Sequence, residues 1–185
     1  MLFRSYPGMP RAEKVTAVEG NALPMPDGGV GVMLRLDPKE PSEPYFNKAA
    51  LVREDSSDSE APLVFDQIVD LPCGIRHKFC IQREPTGLGY IALCNENTAD
   101  YGGRGVLCVA ISQDLISWQT VHRIVDVRED ERCGKDDAYS YPDFDFDGED
   151  LVIVARTAAN GQKNSHDNNY VTFHRLGNYK RFFKA

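Results

Sequence analysis

The sequence predicts an all-β protein built from a repeated four-stranded unit. Three observations predict it. Apolar residues come in short runs broken by turn residues, no window of useful length carries them at helical spacing, and turn motifs join such runs in pairs three times over.

The hairpins follow in order. The turn Pro26-Asp27-Gly28-Gly29 leads into Val30, Val32, Leu34 and Leu36, which alternate with other residues. Phe79 and Ile81 precede Glu84-Pro85-Thr86-Gly87, and Tyr90-Ile91-Ala92-Leu93-Cys94 follows. Phe144 and Phe146 precede Asp147-Gly148, and the run 151–155 follows. An Asp-Gly or similar turn between two such runs signals a hairpin, because the tight turns need residues that tolerate positive φ. Each hairpin is followed by a polar loop and a third strand, at 48–52, 106–111 and 170–174. The first two units add a fourth strand, at 63–69 and 118–125, and the third predicts one over 180–183. The polar stretches 54–60 and 128–132 read as solvated loops.

Third strands near residues 48, 106 and 170 set a period of about 60 residues. Four strands per repeat at this length is what a β-propeller blade requires. The expected architecture is a single partial propeller domain over 1–185, with blades at 15–72, 73–127 and 136–185. Three blades leave a ring open and its strand edges unpaired, so the arc reads as part of a larger, five- or six-bladed ring. A β-sandwich with similar strand counts is the alternative.

Net charge is −7, which disfavours nucleic acid and anionic membrane surfaces as partners. No stretch approaches the roughly 20 apolar residues of a membrane span, so no membrane insertion is expected. The N-terminal residues 1–8 lack the apolar core of a secretion signal. The five cysteines are odd in number and contain no Cys-x-x-Cys, which points to neither a zinc ribbon nor a full disulfide framework. Cys80, Cys94 and Cys108 lie inside apolar runs and read as small buried hydrophobes. No metal or cofactor is expected. Asp143, Asp145, Asp147 and Gly148 match the opening of an EF-hand loop, but Val154 stands where the bidentate Glu belongs, and the flanking segments are not helical.

Ser112-Gln113-Asp114-Leu115-Ile116-Ser117-Trp118 resembles the Asp box of sialidase-type propellers, Ser-x-Asp-x-Gly-x-Thr-Trp. The Gly is missing and Asp-to-Trp is one residue shorter, which looks like the Ser-x-Asp-Leu-x-x-Trp variant of five-bladed glycosidases. Asp114 has a structural role in either form, since its side chain satisfies turn amides. Further segments resemble bacterial sialidase-like proteins with BNR-type repeats: Glu19-Gly20-Asn21, Arg76-His77-Lys78-Phe79, Tyr141-Pro142-Asp143-Phe144, Ala155-Arg156-Thr157 and the run 166–175. The resemblance implies a secreted or periplasmic glycoside hydrolase acting on a terminal sugar of a complex glycan.

In a propeller the innermost strand of each blade starts near the axis, so polar residues at those starts converge on one pocket. Here they are Glu19 and Asn21, then Arg76, His77 and Lys78, then Tyr141 and Asp143. Glycoside hydrolysis usually needs two carboxyl groups, whereas sialidases use a Tyr nucleophile beside a carboxylate and an Arg cluster that grips the sugar carboxylate. Glu19 and Asp143 are the expected catalytic pair. Arg35, Arg76 and Arg156 are expected to form part of a cationic clamp. Asn21, His77, Lys78, Tyr141, His166 and Asp167 complete the expected substrate contacts. Each also has a plain structural reading: a loop carboxylate for Glu19, a solvated charge for Lys78, packing for Tyr141, a brace between blades for Arg156. The alternatives to an enzyme are a non-catalytic carbohydrate-binding propeller and a structural one.

Overall fold

The computed structural model describes residues 15–38, 48–55, 58, 60–71, 77–96, 103–162 and 166–184. They form three antiparallel sheets. The first contains β1 (Val15–Pro24), β2 (Val30–Pro38), β3 (Lys48–Arg53) and β4 (Val64–Asp70) in sequence order. The second contains β5 (Cys80–Arg83), β6 (Tyr90–Asn95), β7 (Val106–Ser112) and β8 (Gln119–Asp126), again in sequence order. The third is three-stranded, with β10 (Asp150–Ala158) between β9 (Ala138–Asp147) and β11 (Tyr170–Leu176). The expected hairpins and third strands are all present. Their turns carry positive φ where the sequence supplies glycine, at Gly87 (88°) and Gly148 (64°).

The strand expected over 180–183 is instead a 3₁₀ helix, Tyr179–Lys184. Tyr179 explains the difference. Its amide donates to Glu149 O (3.0 Å) and its buried side chain donates to Glu84 Oε1 (2.8 Å), so the chain turns back towards the second sheet instead of pairing with β11. One cysteine expectation is also corrected. Cys94 is disulfide-bonded, while Cys80 and Cys108 are free, buried thiols as expected.

The second sheet lies between the other two. On one side Phe79, Ile81, Tyr90, Ala92 and Ala110 pack with Leu23, Met33, Ala49 and Leu51 of the first sheet. On the other side Ile91, Leu93, Leu107 and Val109 pack with Phe144, Leu151, Ile153 and Ala155 of the third. β6 is buried on both faces, which is why it reads as an unbroken apolar run rather than an alternating one. The first strands of the sheets are neighbours: β1 lies against β5, and β5 against β9. Polar ties cross both junctions. Ile81 N donates to Asn21 Oδ1 (3.2 Å), Cys80 Sγ to Asp143 Oδ1 (3.1 Å), and Gln82 Nε2 to Phe144 O.

Residues 112–118 form the turn between β7 and β8. Asp114 Oδ1 accepts from Ile116 N (2.8 Å), Ser117 N (2.7 Å) and Ser112 Oγ (3.0 Å). Burial pushes this carboxyl up, but those bonds outweigh it and hold it below its ordinary value. Trp118 Nε1 donates to the carbonyl of buried Leu115 (2.9 Å), which fixes the indole. Asp114→Ala removes the acceptor of two backbone amides. It is expected to lower stability by about 1–2 kcal/mol, read from urea unfolding of the two proteins.

Candidate functional site

The register of the three sheets shows the same local device twice. In the first sheet Val18 pairs with Arg35 and Asn21 with Met33, and the chain bulges between them. In the third Ser140 pairs with Arg156 and Asp143 with Val154, with a bulge at the same place. The bulged residues are Glu19 and Tyr141, with φ of 45° and 50°. A non-glycine residue in the left-handed region is sparsely populated and costs about 1–3 kcal/mol; such residues concentrate at functional sites. In the second sheet Cys80 pairs with Leu93. Counting two residues along each strand from that pair aligns Lys78 with Glu19 and Tyr141, and Asn95 with Arg35 and Arg156.

Around these positions the sheets bring together a cluster of arginines. Arg35 Nε bonds Glu19 Oε2 at 2.8 Å. Arg156 lies over the Tyr141 ring, 4.8 Å from its centroid, and its Nη2 donates to His166 O (3.3 Å). Arg104, on the connection from β6 to β7, is 5.7 Å from the same centroid and donates from Nε to His77 Nδ1 (3.3 Å). His166 meets Tyr141 edge-on with ring centroids 6.1 Å apart, and its Nδ1 is 3.8 Å from Asp167 Oδ1. Burial pushes the Arg104 guanidinium below its ordinary value. The positive charges of Arg35 and Arg156 push the same way, while Tyr141 and Glu19 act against them. Arg104 Nη1 is buried and has no hydrogen-bond partner among the described residues. A buried guanidinium donor without an acceptor is costly, and a bound carboxylate is the geometry that satisfies it.

Most residues expected at the site therefore meet: Glu19, Arg35, His77, Tyr141, Arg156, His166 and Asp167. Lys78, half-buried, holds the position aligned with Glu19 and Tyr141. Asn21 and Asp143 are engaged otherwise. Asn21 accepts from β5, and Asp143 accepts from Cys80 Sγ and from the Phe144 amide (2.9 Å) while lining an open groove with Gln82, Asp145, Val154 and Phe173. None of these contacts joins Asp143 to the Glu19–Arg35 pair. Arg76, expected in the clamp, lies outside the described residues. Arg104 is the residue that sequence reasoning missed. Its one sequence signal is weak: a lone cation between glycines, Gly102-Gly103-Arg104-Gly105, just before a strand. Its carbonyl accepts from Tyr139 N (2.8 Å), a tertiary bond that fixes the loop against β9.

No protein-family model matches the chain, and no curated protein sequence matches it.

Proposed function

We propose that the three sheets are consecutive blades of a β-propeller, and that the arginine cluster is the active site of a glycosidase taking a terminal acidic sugar. The blade reading is supported by the adjacency of β1, β5 and β9 and by the register shared across the sheets. The functional reading is carried by one observation, the buried, unsatisfied Nη1 of Arg104 beside Arg35 and Arg156. Three guanidiniums, from β2, the β6–β7 connection and β10, outnumber the two carboxylates, Glu19 and Asp37, that pair with Arg35. The excess positive charge is complementary to a sugar carboxylate held through paired N–H···O bonds.

In this reading Arg35, Arg104 and Arg156 grip the carboxylate. Tyr141 Oη bonds to the anomeric carbon as Glu19 takes the phenol proton and the bond from that carbon to the aglycone oxygen breaks, the aglycone leaving with a proton from water; a second water then hydrolyses the sugar–Tyr141 bond and restores the phenol. The left-handed bulges fix both side chains before substrate arrives, so little ordering remains to be done on binding. Asp143, expected as a catalytic partner, serves instead as a tie between sheets. His166 and Asp167 border the sugar.

The test is hydrolysis of 4-methylumbelliferyl glycosides of a sialic acid, of glucuronic acid and of galactose. Release from an acidic glycoside and none from the galactoside is expected. Arg104→Met and Tyr141→Phe should each lower kcat/KM by about 100-fold or more. Cleavage of the neutral substrate alone, or full activity in both variants, would overturn the assignment. Binding of the acidic sugar without turnover would favour the carbohydrate-binding alternative.

A further inference from the structure

A second place on the molecule has the chemistry of a sugar site, at the far end of β7 from the arginine cluster. β7 runs from beside Arg104 to the turn 112–118, so the two places are roughly 20 Å apart at about 3.3 Å per residue. There an open cavity of about 330 Å³ is lined by Gln113, Asp114, Ser117, Trp118, Gln119, Phe182 and Phe183.

Its aromatic rings are held in place. Trp118 is fixed by its bond to Leu115 O and packs on the apolar cluster of the first two sheets. Phe182 stacks on His122 with centroids 6.0 Å apart, and the Arg181 guanidinium lies 4.7 Å from its ring centroid. Phe183 lies over Gly89, where an added Cβ would stand 3.1 Å from its Cε1. The 3₁₀ helix that the sequence did not predict is what carries both phenylalanines here.

The polar lining offers acceptors as well as amides. Asp114 turns one carboxylate oxygen, Oδ1, to the turn amides, and the Gln113 and Gln119 side chains stand beside it. The side-chain amides of Gln113 and Gln119 are exposed and have no hydrogen-bond partner among the described residues. Rigid aromatic faces bordered by free amides match the alternating C–H faces and hydroxyls of a neutral saccharide.

We infer that the Trp118–Phe182–Phe183 groove is an accessory binding site for a neutral saccharide, separate from the arginine cluster. Trp118 is the single tryptophan of the chain, so its fluorescence reports this site alone. The experiment titrates the protein with N-acetyllactosamine, mannotriose, maltotriose and xylotriose. A saturable change in tryptophan emission with at least one of them is expected. Gln113→Ala combined with Gln119→Ala, which leaves the rings and the fold in place, should weaken it at least tenfold, as should Phe183→Ala. Sialyllactose serves as a control: its acidic sugar should leave the preference for neutral ligands intact. No saturable change with any of the four sugars would overturn the site, as would a change undiminished in the double glutamine variant. Neither readout depends on hydrolysis, so this inference and the glycosidase reading fail separately.

Discussion

Leu93→Ala is expected to lower the unfolding free energy by about 4 kcal/mol. Leu93 is fully buried at the centre of β6, within the cluster shared by the second and third sheets. The neighbouring side chains come from rigid strands on both sides and cannot collapse into the space, so the lost transfer energy is joined by a cavity cost. Its register-equivalent in the third sheet provides the control. Val154 pairs with Asp143 as Leu93 pairs with Cys80, yet it is 41% exposed. Val154→Ala should therefore cost no more than about 1 kcal/mol. Urea unfolding of both variants checks the pair, and equal losses would contradict the burial argument.

Glu84→Ala is expected to cost about 3 kcal/mol, because this carboxylate joins two separate parts of the chain. Glu84 Oε2 accepts from Thr86 N (2.7 Å), Thr86 Oγ1 (2.7 Å) and Leu88 N (3.1 Å), while Oε1 accepts from Tyr179 Oη. It holds the β5–β6 turn in shape and fastens the 3₁₀ helix to it. Removing it leaves several donors unsatisfied in a buried place. Burial alone would raise the Glu84 carboxyl, but the bonds from Thr86, Leu88 and Tyr179 outweigh it and the net shift is downward. A carboxyl that is more acidic in the folded chain favours folding at pH above its unfolded value, about 4.3, and this contribution fades as pH falls through the folded value. Stability measured from pH 6 down to pH 3 should thus fall less steeply in Glu84→Gln than in the parent protein. Parallel curves would show that Glu84 does not titrate as argued.

The parts of the fold legible in the sequence are those set by local chemistry. Turn glycines between short apolar runs mark every hairpin, and each third strand falls where the period requires. The parts that were not legible depend on distant contacts. Residues 180–183 read as a strand, and only the bond from Tyr179 to Glu84 across the sheet boundary turns them into a helix. Arg104 reads as a loop cation until Tyr139 pins its backbone. At the candidate site the convergence of Glu19, Tyr141 and two of the arginines was open to inference from repeated topology. The roles of Asn21 and Asp143 were not, because a polar side chain at a strand start looks the same whether it faces a cavity or the next sheet. Cys94 illustrates the same limit, since an apolar context conceals a covalent partner.

The twin bends at Glu19 and Tyr141 have a consequence for which side chains these positions can carry. The kink belongs to the pairing pattern of the two strands and tolerates both a short-range acid and a bulky phenol at its apex. Backbone shape and side-chain chemistry are therefore decoupled there. One side chain can be exchanged there for another at a fixed vantage point without rebuilding the surrounding sheet.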